Sequence, residues 1–83
     1  MNLEDIVNEQ NGIHHKTGFG HVSEVWTWNL YVGEEIVQTE QNVMSPKSCL
    51  DVSFQEWENV RAQGCTKLEI VRNCGNTVVK TYQ

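Results

Sequence analysis

Three histidines and three cysteines are the residues of this chain best equipped for chemistry. Imidazole is the commonest metal ligand and the usual general base, and a thiolate is both a ligand and a nucleophile. Spacing decides whether they can act together. His14 and His15 are adjacent, and adjacent side chains rarely converge on one ion. His21 completes no H-x-x-x-H pair, and Cys49, Cys65 and Cys74 form no C-x-x-C pair. An odd number of widely spaced cysteines also argues against a disulfide framework. The expectation is three reduced, mostly buried thiols in a cytosolic protein, with no bound metal. Catalysis needs a base within reach of a nucleophile in a site that excludes water. Nothing in the spacing pairs a histidine with a cysteine, so no catalytic residue, cofactor or enzymatic activity is expected.

Two other clusters invite a functional reading. Gly18-Phe19-Gly20 has part of a phosphate-binding glycine pattern, but it lacks the full G-x-G-x-x-G spacing. It also leads into a strand pattern, whereas phosphate sits at a helix N-terminus. A tight bend is the simpler role. Trp26, Trp28 and Tyr31 could stack on unpaired bases. Trp26 and Trp28, however, alternate onto one face with Leu30 and Val32, the pattern of a core. The same hairpin bears Glu24, Glu34, Glu35 and Glu40, which repel phosphate.

The elements that must position these residues read as follows. Asn2 can cap a short N-terminal helix, with Leu3, Ile6 and Val7 on one face and Gly12 as its stop. The helix is placed within residues 1–12 and a loop over residues 13–21. Val22 to Val32 alternates as a strand, with Ser23, Thr27, Asn29 and Tyr31 opposite the tryptophans. Gly33-Glu34-Glu35 is a turn. Ile36 to Met44 returns as a second strand, polar on both faces toward its end and weakly specified in register. Ser45 to Ser48 reads as a loop and Cys49 to Val52 as an extended entry to the main helix. Ser53 and Glu56 form an S-x-x-E capping box, with Val52 and Trp57 as a hydrophobic staple. That box predicts a helix from Phe54 to Gln63, ended by Gly64, with Phe54, Trp57 and Val60 buried. Lys67 to Asn73 and Thr77 to Tyr82 are two further strands around the turn Cys74-Gly75-Asn76. The order is α-β-β-α-β-β. The fold class is α+β: a single domain over residues 1–83, with a four-stranded antiparallel sheet and the main helix on one face.

Composition sets the class of role. Eighty-three residues with 39% hydrophobic and 20% charged make one small folded domain. So small a core gains from a partner or from a second copy of the chain, so a homodimer is one expected state. No apolar run is long enough to span a membrane. Residues 1–10 carry acids and no basic residue, unlike a secretion signal, so a cytoplasmic location is expected. Residues 1–60 hold ten acids against Lys16 and Lys47, a net of −8. Residues 61–83 hold Arg61, Lys67, Arg72 and Lys80 against Glu69, a net of +3. The acidic part repels nucleic acid and attracts basic surfaces.

In size, charge and architecture the chain resembles the accessory proteins of phages and mobile elements that block a host defence machine, anti-CRISPR proteins among them. The resemblance implies a small acidic inhibitor in the host cytoplasm. It would bind a protein with a basic surface, such as a nucleic-acid-binding effector complex, and would not itself bind nucleic acid. The partner-binding residues expected are Glu24, Tyr31, Glu34, Glu35 and Glu40. The alternatives are a nucleic-acid-associated regulator using the basic C-terminal hairpin, or a minor subunit of a larger complex.

Overall fold

A computed structural model describes residues 2–9 and 23–83. The elements are α1 (residues 3–9), β1 (Glu24–Val32), β2 (Glu35–Met44), α2 (Pro46–Ala62), β3 (Lys67–Arg72) and β4 (Thr77–Tyr82). This is the α-β-β-α-β-β order expected, and all strand pairs are antiparallel. The histidines, Gly12, Val22, Gly18-Phe19-Gly20 and the loop placed over 13–21 lie outside the described residues.

The sheet order is β2-β1-β3-β4. β1 and β3 are central because they carry the residues that need full burial. Trp26 and Trp28 on β1 face Leu68 and Ile70 on β3 among the buried side chains, together with Leu30. A tryptophan buries on the order of 150–250 Å², so this pair dominates a core of this size. The Trp26 indole N–H donates to the Met44 carbonyl at 2.9 Å, which satisfies its one polar group. The opposite face of the sheet carries a network of polar side chains beside exposed Val25, Ile36 and Val43. Thr27 donates to Asn73 at 2.7 Å, Thr39 to Asn29 at 3.0 Å, and Asn29 and Tyr31 both donate to Glu69 at 3.2 Å.

Each turn uses the glycine its geometry demands. Gly33 has φ +63° and is the first of the two residues joining β1 to β2, while Glu34 keeps a negative φ. That is the sign pattern of a type II′ hairpin. Gly75 and Asn76 take φ 93° and 52° between β3 and β4.

The main helix begins eight residues earlier than the capping box predicts. Ser45 is the N-cap, and its hydroxyl accepts from the Ser48 amide at 3.2 Å. Pro46 occupies the first helical position, where its missing N–H costs nothing and its fixed φ suits the helix. Proline also pushes the preceding residue into extended backbone, and Ser45 has ψ 159°. Ser53 is therefore in mid-helix and fully buried, donating to the Leu50 carbonyl and meeting the Tyr82 hydroxyl at 3.0 Å. The longer helix turns its stripe to Pro46, Cys49, Ser53, Trp57 and Val60. Phe54 and Val52, expected inside, are 53% and 43% exposed. Trp57 is buried as expected and stacks on Tyr82 at 6.2 Å between ring centroids. Gly64, at φ +108°, ends the helix as expected. The Cys65 amide returns to the Val60 carbonyl and the Gly64 amide to that of Arg61, a complete Schellman motif.

The N-terminal helix is capped by Asn2, whose carboxamide oxygen accepts from the Asp5 amide at 3.0 Å. Leu3, Ile6 and Val7 join the same core. Val32, placed on the core face by alternation, is 48% exposed at the strand's end.

Two truncations distinguish the observed helix face from the predicted one. Trp57→Ala is expected to cost about 3–5 kcal/mol in chemical denaturation, as large buried aromatics do. Phe54→Ala is expected to cost within about 1 kcal/mol, because its ring is largely in water. Equal losses would place both rings in the core and contradict the Ser45 start.

Candidate functional site

The five acidic and aromatic residues singled out in the sequence separate into four environments. Glu24 accepts both a 2.6 Å and a 2.9 Å hydrogen bond from the Arg72 guanidinium, and its side chain is only 12% exposed. It is a bidentate structural pair between β1 and β3, two strands that register Trp26 opposite Arg72. Tyr31 lies on the polar face of the sheet. Its hydroxyl donates to Glu69, and Lys67 sits over its ring at 4.0 Å. Glu34 and Glu35 are exposed at the hairpin tip, held by Gly33, whose amide donates to Thr66 at 2.9 Å. Glu40 is half-buried on the other face of β2, opposite Trp28.

Glu40 owes its position to a bulge. Leu30 pairs with Gln38 and Tyr31 with Ile36, so Val37 is the extra residue. Beyond it, Gln38, Glu40 and Asn42 share the helix-side face with Leu30, Trp28 and Trp26. Because α2 runs back from Pro46 toward the hairpin tip, it brings the Glu56 carboxyl against that of Glu40. Burial, and then the facing Glu56 carboxyl, raise the Glu40 pKa above the ordinary carboxylate value. In this seam between β2 and α2, Asn42 Nδ2 is buried without a hydrogen-bond partner, Glu40 meets only the Glu56 carboxyl, and the Trp28 indole N–H on β1 meets only the Cys49 thiol. A buried polar atom without a partner is rare in folded proteins and costly. Sequence reasoning placed Glu40 among surface acids and missed Asn42 and Glu56. The usable signal was the alternation of Gln38, Glu40 and Asn42, which fixes a shared face once register is known.

Among the described residues every basic side chain has a partner. Arg72 holds Glu24, Lys80 holds Glu4, Lys47 holds Asp51 at 3.1 Å, and Arg61 approaches Glu58 at 3.9 Å. Lys67 covers Tyr31. The Lys80 ammonium lowers the Glu4 pKa through their hydrogen bond. Among the described residues, Asp5, Glu9, Glu34, Glu35, Glu40, Glu56 and Glu69 carry no ion pair.

The thiols are unpaired. Cys49 is buried, and burial pushes its pKa up to about 12, which leaves it a neutral packing group. Cys65 is half-buried and Cys74 is exposed in the β3–β4 turn. A shallow groove of about 460 Å³ between α2 and β4 is lined by Leu50, Phe54, Tyr82 and Lys80. Among the described residues no group of three or more His, Cys, Asp or Glu could hold a metal ion, and no helix is long and apolar enough to cross a membrane. Comparison of the chain with protein-family models, with curated proteins and with solved structures finds no match.

The Glu40–Glu56 contact has a measurable signature. A carboxyl whose pKa is raised by folding binds its proton more tightly in the folded state. Its contribution is fully present below the unfolded pKa and is lost as pH rises through the folded one. Glu40→Gln is therefore expected to raise the Tm at pH 7, with the gain shrinking toward pH 4. A variant that melts lower at pH 7 would show that the Glu40 charge is favourably held.

Proposed function

We propose that this protein is a small acidic, non-enzymatic binding protein that inhibits a nucleic-acid-handling complex by occupying a basic surface on it. Such a role matches the phage and mobile-element accessory proteins it resembles in size, charge and architecture, and would place it in the cytoplasm of a host cell. The observation that supports this reading is the uneven commitment of charge. The positive C-terminal part folds onto the negative N-terminal part, so Arg72 and Lys80 are spent on Glu24 and Glu4. Of the described acids left without an ion pair, Glu34, Glu35, Glu40 and Glu56 gather on the β1–β2 hairpin and the adjoining side of α2, while Asp5 and Glu9 lie on α1 and Glu69 accepts from Asn29 and Tyr31. Unpaired carboxylates on one edge steer and orient a basic partner.

The same pairing weakens the alternative of a nucleic-acid regulator working through Lys67, Arg72 and Lys80. A guanidinium already held by a carboxylate contributes little to phosphate binding, since the electrostatic attraction depends on net positive charge. Fluorescence anisotropy with labelled mixed-sequence DNA and RNA is expected to give no binding near physiological salt. Low-micromolar binding that falls steeply with salt would favour that alternative instead.

Reversing the hairpin tip tests the reading directly. Glu34→Lys/Glu35→Lys is expected to melt like the parent, because both side chains are exposed. It is also expected to weaken binding to a partner captured by the parent from a bacterial lysate by about tenfold or more, mostly through slower association. Undiminished binding would contradict the acidic-surface reading.

A further inference from the structure

The two edges of this sheet are unequally protected. β4 is six residues long, is interrupted by a bulge at Val79, and carries Lys80, which is tied down by α1 through Glu4. Short length, bulges and lysines are how proteins keep an edge from pairing with another strand. β2 is ten residues long. After its bulge at Val37, it runs regularly from Gln38 to Met44 with no proline, lysine or arginine. Among the described residues nothing pairs with its outer side.

The side chains along that edge are sorted by face. Glu35, Gln38, Glu40 and Asn42 stand on the helix side, where Glu56 adds a further carboxyl. Ile36, Thr39, Gln41 and Val43 stand on the other side and are uncharged, with Val43 70% exposed and Ile36 51% exposed. A strand laid against β2 would therefore meet acid on one face and neutral or apolar groups on the other. From this sorting, and resting on the acidic-surface reading above, we propose that β2 is a strand-addition site for an extended basic segment of the partner. The segment's alternate residues would be lysine or arginine facing Glu40 and Glu56, and β-branched or apolar residues facing Ile36 and Val43.

Several observations converge on this occupant. Main-chain pairing supplies affinity, and the alternating side chains supply specificity. A cationic side chain on the helix side would give the two facing carboxylates the counter-charge they lack. A second copy of this chain is a poorer fit, because antiparallel pairing of two β2 strands sets the same acid-bearing face against itself. The position of Glu40 also fits a binding role. A half-buried carboxyl held against another without a counter-charge costs stability, and costs of that kind concentrate at functional sites.

The test uses the isotope-labelled full chain and a blocked heptapeptide alternating valine and lysine. One control is the same peptide N-methylated on alternate residues, which cannot offer a complete pairing edge. The other replaces lysine by glutamate. The unmodified lysine peptide is expected to slow amide exchange across Gln38–Met44, and both controls to bind about tenfold more weakly or worse. Glu40→Gln/Glu56→Gln, confirmed folded by its melt, is expected to lose a similar factor. Equal binding of the N-methylated lysine peptide, with shifts centred on Glu34 and Glu35, would overturn strand addition while leaving the acidic-surface reading intact. Shifts centred on β4, or no binding of the lysine peptide, would overturn it as well. Protection of β2 in the free protein, with diffusion at the rate of a dimer, would assign the edge to a second copy and overturn it too. The acidic-surface reading fails separately, through undiminished partner binding by the charge-reversed hairpin tip.

Discussion

Everything in this structure hangs on burying one face of β1. Trp26 and Trp28 are too large to be covered by neighbouring strands, so helices must lie over them. Among the described residues the one long helix is α2, and it lies there with α1 in the same core. The hydrogen bond from the Trp26 indole to the Met44 carbonyl fixes the end of β2 just where α2 departs. The helix is thereby aimed back along the sheet. Its direction in turn brings Glu56 to Glu40 and Trp57 to Tyr82. Among the described residues the second face carries mutually hydrogen-bonded polar side chains, and nothing pairs with the outer side of β2.

Charge follows the same logic. A sequence that is strongly negative over its first sixty residues and positive over the rest would be a poor compact object if the two parts stayed apart. The central position of β1 beside β3 sets Glu24 against Arg72, and the docking of α1 beside β4 sets Glu4 against Lys80. Neutralisation is thus built into the topology. What it leaves is an acidic margin on the hairpin and the neighbouring turns of α2, with Asp5 and Glu9 of α1 exposed elsewhere. The proposed binding role belongs to that margin because Glu34, Glu35, Glu40 and Glu56 gather there without an ion pair.

Strands and turns were legible in the sequence because their signals are local. Alternation around Trp26 and Trp28, and the positive-φ demands met by Gly33, Gly75 and Asn76, need no tertiary knowledge. The helix start was not, because Ser53 and Glu56 imitate a capping box that the fold does not use. Ser45-Pro46 offered an equally local start, and only the position of Tyr82, twenty-nine residues on, shows why Ser53 can be buried. A polar residue in the buried stripe hides that stripe from any count of apolar positions. The candidate site was legible in part. The exposed acids Glu34 and Glu35 were found where a turn would put them. The engagement of Glu24 and Tyr31 was not foreseen, since each depends on a partner from β3. The seam of Glu40, Asn42 and Glu56 depends on a bulge at Val37 and on the direction of a helix, neither of which its own residues announce.

The central claim is that this protein works through the acidic margin bounded by the hairpin tip and the β2 edge. Hydrogen–deuterium exchange on the complex with a captured partner reads that margin most directly. Added protection confined to residues 34–44 and to the adjoining turns of α2, with β3 and β4 unchanged, is the predicted result. Protection centred on the β3–β4 hairpin, or on the groove between Phe54 and Tyr82, would contradict it.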